Sequence, residues 1–176
     1  MKFSETPLAG CYVVYLEPFF DHRGFLARSW CTDEFLQHGL VSTFVQCNIS
    51  FNTRCGTLRG LHYQTTPHEE TKLIRCTRGV VYDVIVDLRK DSPSYLKWFS
   101  VELTQDNLTM LYVPAGVAHG FQTLQDNSEL FYQMSEPYVS DCARGIHWND
   151  PQLNIRWPIE EKILSDRDKA LPYWGR

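Results

Sequence analysis

The chain has 176 residues, a length that suits a single domain spanning residues 1–176. Hydrophobic residues make up 43% of it, which is enough for a packed core, and aromatic residues are abundant. The net charge of −4 gives no reason to expect nucleic acid or membrane binding through bulk charge. Any anionic ligand must therefore be held by local cations.

Six cysteines are spread along the chain without a C-x-x-C pair. A chain of this size does not need disulfides, so reduced thiols are expected and a zinc site is disfavoured. The segment Met1–Thr6 lacks the apolar stretch of a signal peptide, and no run approaches the roughly 18 apolar residues of a membrane span. The sequence therefore predicts a cytoplasmic protein.

Short strands separated by polar turns dominate the chain. The predicted strands are 11–17, 58–64, 73–76, 80–87, 97–103, 110–114, 120–124 and 129–135. Segments 77–79 and 125–128 have the composition of hairpin turns. About ten short antiparallel strands at this spacing favour an all-β fold closed as a jelly-roll barrel.

Helix signals are few and peripheral. Segment 32–39 has Thr32 as a possible N-cap, early acidic residues and a closing Gly39, which predicts one short helix. Segment 104–107 predicts a turn, and segment 165–168 can start a short C-terminal helix.

The most informative segment is Gly56–Gln64, which places Arg59, His62 and Gln64 among glycine and apolar residues. Side chains alternate along a strand, so His62 and Gln64 point to one face while Leu61 and Tyr63 point to the other. A histidine in such an apolar wall is suited to act as a general base.

Two segments of the chain bear on a possible metal site. Pro114–His119 matches the second half of the cupin signature, Pro-x-Gly-x-x-His. The first half needs two histidines one residue apart, but it contains His62 and Gln64. His62 and His119 alone fall short of the usual ligand set of a divalent metal, so no metal is expected and His62 is free to act as a base.

Several charged and polar residues are further candidates. Arg59 is enclosed by apolar neighbours, where an unpaired charge would be costly and a phosphate would satisfy it. Arg23 and Lys72 are also candidates, although an isolated surface cation is usually only solvated. Tyr132 could act as an acid, or it could simply be a tyrosine of the core. Asp168 could be a carboxylate of the active site, or it could cap a helix.

Asp83 and Asp87 fall inside an apolar strand and share one face of it. At least one of the two is expected to be buried and to have a structural hydrogen bond.

Taken together, the segments resemble the dTDP-4-dehydrorhamnose 3,5-epimerase family of the cupin superfamily. The matching segments are distributed along nearly the whole chain, at 21–25, 46–50, 56–64, 72–76, 82–89, 114–121, 148–151 and 157–158. The resemblance implies a cupin-type jelly roll that forms a homodimer and needs no metal or organic cofactor. It also implies that the substrate is a nucleotide-diphosphate 4-keto sugar on the route to surface polysaccharides.

The resemblance implies a role for each site residue. His62 matches the base, Asp168 the carboxylate that orients it, Tyr132 the acid, and Lys72 the cation that stabilises the enolate. The residues that match substrate contacts are Arg23, Arg59, Gln46, Asn48, His119, Phe19 and Tyr138, the last of which stacks on the nucleobase.

The chain also departs from the family pattern. Arg28 and Ala143 stand where thymidine-specific members carry acids, and Arg167 replaces a lysine. Arg28 and Arg167 are still expected to bind the substrate. Because these positions surround the expected nucleotide site, they bear on which nucleotide is bound rather than on whether epimerisation occurs.

Four functions follow from these observations. The leading one is a 3,5-epimerase that converts dTDP-4-dehydro-6-deoxy-D-glucose to dTDP-4-dehydro-L-rhamnose. A second is an epimerase that inverts only C3 or C5, or that takes a CDP- or GDP-linked hexose or heptose. A third is a cupin 3,4-ketoisomerase, which lacks the Tyr132 acid, and a fourth is a non-catalytic module that binds nucleotide sugars.

Overall fold

The computed structural model describes residues 1–175, and strands dominate it. In chain order the strands are β1 Lys2–Glu5, β2 Tyr12–Tyr15, β3 Phe19–Asp21, β4 Gly24–Leu26, β5 Gln46–Asn52, β6 Leu58–Gln64, β7 Lys72–Arg78, β8 Val80–Asp87, β9 Trp98–Thr104, β10 Thr109–Val113, β11 Val117–Thr123, β12 Ser128–Met134 and β13 Ala143–Gly145. The helices are α1 Thr32–Gln37 and α2 Asp166–Lys169. The predicted all-β architecture with a few short helices is confirmed.

Two antiparallel sheets form the body of the fold. The larger sheet has six strands in the order β1-β2-β10-β7-β12-β5, and the smaller has five in the order β13-β6-β11-β8-β9. Strands β3 and β4 pair only with each other and form a separate hairpin. Strand order therefore differs from chain order in both main sheets, as in the jelly roll that the sequence predicts.

The main core lies between the two sheets. It joins Ile74, Leu111 and Leu130 of the larger sheet to Ile85 and Leu103 of the smaller one, all of them inaccessible to solvent. Burying such side chains is worth about 1.5–3 kcal/mol each, so this seam holds the sheets together.

Each sheet is also covered on its outer face. Phe35 of α1 packs on Val14, Leu73 and Met110 of the larger sheet. On the smaller sheet, the segment after β13 covers Leu61 and its neighbours, with contributions from Ile146, Leu153, Ile155, Trp157 and Trp174. The C-terminal part of the chain is thereby held against β6.

Asp83 and Asp87 are both fully buried, as the alternation along β8 predicts for residues on one face. Asp87 accepts hydrogen bonds from Arg89, Ser92 and Ser94. Burial would raise the pKa of the Asp87 carboxyl, but these hydrogen bonds lower it to about 2. Asp87 therefore fastens the loop after β8 and is separate from the site.

Several local predictions need correction. The cap of α1 is Cys31, which makes no side-chain cap hydrogen bond, so Thr32 is a helical residue and the predicted Thr cap is wrong. The first predicted strand, 11–17, is confined to Tyr12–Tyr15. Strands β1, β3, β4, β5 and β13 had not been predicted as strands. No helix within residues 1–175 is long and apolar enough to cross a membrane.

Candidate active site

A cavity of about 560 Å³ opens between the two sheets. This volume is within the usual range for small-molecule sites. Polar and charged side chains from both sheets line it, together with residues that follow β12: Gln46, Asn48, Ser50, Arg59, His62, Gln64, Glu70, Lys72, His119, Tyr132, Tyr138, Arg144 and Arg167. Most of the predicted site residues therefore meet in one place.

His62 on β6 forms a close pair with Asp168 of α2, with 2.6 Å between Nε2 and Oδ1. The Ser165 side chain caps α2 by accepting a hydrogen bond from the Asp168 backbone N–H, and this fixes the carboxylate toward the barrel. Burial would raise the pKa of the Asp168 carboxyl, but the hydrogen bond and charge of His62, with help from Ser165 and Arg167, hold it below its usual value. Asp168 is therefore a carboxylate at neutral pH.

This pair defines the tautomer of the neutral imidazole. A carboxylate can only accept hydrogen bonds, so Nε2 of His62 carries a proton, and in the neutral ring Nδ1 keeps its lone pair. The His62 side chain is 40% exposed and lines the cavity. The arrangement leaves one ring nitrogen able to take a proton from a molecule in the cavity.

Tyr132 lies on β12 in the larger sheet, opposite Asn48 of β5 and Ile74 of β7. Its ring packs against the main core while the residue borders the cavity. Burial raises the pKa of the Tyr132 hydroxyl, the charge of Arg59 lowers it, and that of Glu70 raises it, for a net increase. Tyr132 is thus a protonated donor on the wall opposite His62.

Lys72 begins β7 and is buried with Glu70, whose carboxylate it contacts through Nζ. The ammonium also lies 3.5 Å from the backbone carbonyl of His62. A cation is therefore held beside the backbone of His62. Glu70 was not predicted as a site residue. Residues two apart on an extended chain share a face, so its contact with Lys72 could have been predicted from the sequence.

His119 on β11 pairs in register with His62 of β6. Its Nε2 lies 3.0 Å from Oδ2 of Asp83, which is fully buried. Burial raises the pKa of the Asp83 carboxyl, and His119 opposes this effect. Asp83 thus anchors the ring of His119 at the cavity wall.

Arg59 borders the cavity but is exposed, so the prediction that apolar neighbours enclose it is wrong. Arg59 pairs in register with Phe121 of β11, which also lines the cavity, and the register shifts between this pair and the His62–His119 pair. Arg59 therefore lies on the cavity side of β6 together with His62, where its side chain reaches open space. Its Nε donates to Oδ1 of Asn52 at 2.7 Å, which leaves the terminal nitrogens for a ligand.

A second group of polar residues lies around Tyr138, whose side chain is half exposed. Nη1 of Arg167 is 3.5 Å from the Tyr138 hydroxyl. Oε1 of Gln46 accepts from the Tyr138 backbone N–H at 2.9 Å, and Nε2 of Gln46 donates to Asn48. Ala143 lines the cavity and supplies no carboxylate there. Arg144, which was not predicted as a site residue, also lines the cavity.

Three predicted contacts are not brought to this cavity within one copy of the chain. Arg23 is exposed on the β3–β4 hairpin and pairs with Asp21. Phe19 and Arg28 border a separate cavity, where Nη1 of Arg28 lies 2.8 Å from Oε1 of Glu34. For Arg23 and Phe19 the reason is topological, because the β3–β4 hairpin pairs with neither main sheet.

A metal centre finds no support among residues 1–175, where no group of three or more His, Cys, Asp or Glu side chains is placed to hold an ion. The arrangement offers a base oriented by a carboxylate, a protonated phenol on the opposite sheet, and a buried ammonium that also lines the cavity. Such a set can move a proton off one face of a carbon acid and return it on the other.

Comparisons with known proteins agree with this chemistry. A family model described as dTDP-4-dehydrorhamnose 3,5-epimerase matches residues 5–175. A protein of that name from Sinorhizobium fredii is 39% identical, over 98% of this chain and 89% of the relative.

Solved structures are similar over nearly the whole chain. The dTDP-4-dehydrorhamnose 3,5-epimerase of Bacillus anthracis, with TDP and PPi bound, has a TM-score of 0.95 and 42% identity and covers 98% of both chains. A 3'-monoepimerase from Streptomyces bikiniensis, in complex with dTDP-quinovose, has a TM-score of 0.89 and 31% identity, over 96% of this chain and 85% of that one.

Proposed function

Because this chain belongs to the dTDP-4-dehydrorhamnose 3,5-epimerase family, we propose that it inverts C3 and C5 of dTDP-4-dehydro-6-deoxy-D-glucose to give dTDP-4-dehydro-L-rhamnose. The observation that carries the proposal is the placement of a base and an acid on opposite walls of one cavity. His62, held by Asp168, lies on the smaller sheet, and Tyr132 lies on the larger.

The reaction follows from that placement. Nδ1 of His62 removes the proton from a carbon next to the C4 ketone, and the electrons of the C–H bond move into an enolate. The Lys72 ammonium stabilises the negative charge on the enolate oxygen. The Tyr132 hydroxyl then delivers its proton to the opposite face of the carbon, the ketone re-forms, and the two side chains exchange protons with solvent.

To bind the nucleotide part of the substrate, the site needs cations for the diphosphate and an aromatic ring that can stack on the base. Arg59 has free terminal nitrogens at the cavity and Arg167 lies beside Tyr138, so both are suited to a diphosphate. The half-exposed ring of Tyr138 is suited to stacking on a base. Gln46, Asn48 and His119 complete the polar lining around the sugar.

A homodimer would complete the site. The β3–β4 hairpin exposes Phe19 and Phe20 by more than 70% each, and edge strand β5 exposes Ile49 and Phe51. Apolar patches of this kind usually mark an interaction surface, and a second copy of the chain is the simplest partner. We propose that the hairpin reaches the partner's cavity and supplies Arg23 and Phe19 there. The cytoplasmic location stays a prediction from the sequence.

The test is proton NMR in D2O with the dTDP keto sugar. Loss of both the C3 and C5 proton signals, together with formation of the L-rhamno product, is the expected result. His62→Ala should abolish both exchanges, while His38→Ala, an exposed histidine beyond the larger sheet, is the matched control. Full exchange with His62→Ala would refute the assignment of the base.

A second candidate is an epimerase that inverts a single centre. It is favoured by the similarity to the 3'-monoepimerase, which has the same fold. The same spectra separate the two, because that enzyme would lose only one of the two signals. A parallel series with CDP- and GDP-linked keto sugars tests whether the absence of an acidic side chain at position 143, which is Ala143, changes which nucleotide the protein accepts.

A further inference from the structure

We propose that Glu70 is a positioning residue of the reaction, which fixes the Lys72 ammonium at the enolate oxygen and sacrifices some substrate affinity to do so. This inference rests on the proposed function, because it assigns a partner to the cation of that same site.

The contacts of Glu70 leave it little freedom. It is 4% exposed, Oε1 contacts Nζ of Lys72, and Oε2 accepts from the backbone N–H of Gln64 at 2.9 Å. Glu70 lies just before β7 of the larger sheet, and Gln64 ends β6 of the smaller one. The carboxylate therefore ties the two walls together beside His62.

These contacts also fix the direction of the ammonium. A lysine ammonium has three donors on a flexible stem. One is directed at Glu70 and a second at the carbonyl of His62, 3.5 Å away. The third is left for the cavity, which Lys72 lines. Without Glu70 the buried ammonium would lose its counter-charge and its orientation together.

Glu70 stands out because of the charge of its surroundings. It is the one carboxylate among the described residues that line the cavity, and Arg59, Arg144 and Arg167 are the cations there besides Lys72. A negative group in a cavity that receives an anionic ligand weakens binding by repulsion. A site selected for affinity alone would not need this carboxylate, which favours a contribution of Glu70 to a step after binding.

The carboxylate also acts on the acid. Beside the larger effect of burial, the charge of Glu70 raises the pKa of the Tyr132 hydroxyl, opposing Arg59. Because the ordinary pKa of a tyrosine is already about 10, Tyr132 keeps its proton at neutral pH without Glu70, and the role of Glu70 is its hold on Lys72.

Glu70→Gln tests the charge alone. The amide oxygen can still accept from the Gln64 N–H, but the amide nitrogen then faces the Lys72 ammonium, donor against donor. We expect kcat to fall by about 10- to 100-fold through misplacement of the ammonium. The affinity for dTDP, measured by calorimetry, should stay equal or increase. Glu69→Gln, at the adjacent exposed position, is the matched control and should behave as wild type.

A double-mutant cycle separates positioning from a structural role. If Glu70 acts through Lys72, the variant Glu70→Gln/Lys72→Met should be no slower than Lys72→Met alone. Additive losses would overturn the inference. So would a wild-type kcat in Glu70→Gln, or a loss of affinity in parallel with kcat. If the wild-type protein shows no deuterium exchange at C3 and C5, the proposed function fails and this inference fails with it. If the wild-type protein shows exchange and Glu70→Gln has no effect on it, only the inference is refuted.

Discussion

The His62–Asp168 pair gives the sharpest prediction of the reaction. Asp168→Asn removes the charge but preserves the shape of the side chain, and the Ser165 cap of α2 uses the backbone N–H of residue 168, which is unchanged. The variant therefore isolates the effect of the carboxylate on the imidazole 2.6 Å away.

The size of the effect follows from the bond that is lost. A hydrogen bond to a charged group contributes about 1.5–3 kcal/mol, which corresponds to a slowing of about 10- to 150-fold. This range applies if the amide oxygen still accepts from Nε2. If the amide nitrogen turns toward Nε2 instead, the ring proton moves to Nδ1, the base has no lone pair on the cavity side, and the loss approaches about 10⁴-fold.

The assay is the rate of deuterium incorporation at C3 and C5 under saturating substrate. Asp166→Asn is the matched control, since Asp166 lies on the same helix and is exposed, with only a surface ion pair to Lys169. An Asp168→Asn protein that exchanges within about 2-fold of the Asp166→Asn protein would refute the assignment of Asp168 as the group that orients the base.

Three further predictions concern the acid, the stability and the backbone. Tyr132→Phe should retain deuterium exchange but slow inversion by about 10²-fold, which the epimer ratio measured by NMR would show. Because burial raises the pKa of the Tyr132 hydroxyl, the inversion rate of the wild-type protein should not decline between pH 7 and 9 through loss of this proton. Asp87→Asn should lower the free energy of unfolding at pH 7 by about 2–3 kcal/mol, since the folded pKa of about 2 is below the unfolded one, and urea titrations should show the difference shrinking from pH 4 toward pH 2. Gly60→Ala should cost about 2–4 kcal/mol in the same titration, because φ is +119° and the added Cβ would lie 2.6 Å from the Cα of Gly120. Gly39→Ala, where φ is +68° and the space is open, should cost only about 1–2 kcal/mol, and equal losses would contradict the role of the close approach.

The sequence predicts the fold where hydrophobic alternation coincides with burial. Strand β8 is predicted with its observed bounds, Val80–Asp87, because its inward side chains belong to the core. Strand β5 shows why others are missed. Its apolar residues Ile49 and Phe51 face outward and are exposed, while Asn48 and Ser50 face the cavity, so the pattern is inverted.

The site is predicted from the sequence only in part. Alternation alone places His62 and Gln64 on the cavity side of β6. The pairing of His62 with Asp168 spans 106 residues, and no local pattern contains it, so only the resemblance to a known family suggested it. Arg59 was misplaced because its apolar neighbours in sequence are its neighbours on the opposite face of the strand.

Inversion of a carbon requires that a proton leave one face and return to the other, and a barrel of two sheets satisfies this need directly. His62 and Tyr132 project from different sheets, whose mean planes in such folds are about 10 Å apart, a distance that leaves room for one sugar ring between two side chains. A base and an acid on one sheet would both approach the same face and give exchange without inversion. In the proposed reaction, a carbon that the sugar presents to His62 would therefore also be presented to Tyr132 on its far side. The number of inverted centres then depends on how many orientations of the sugar the cavity admits, and not on the catalytic pair.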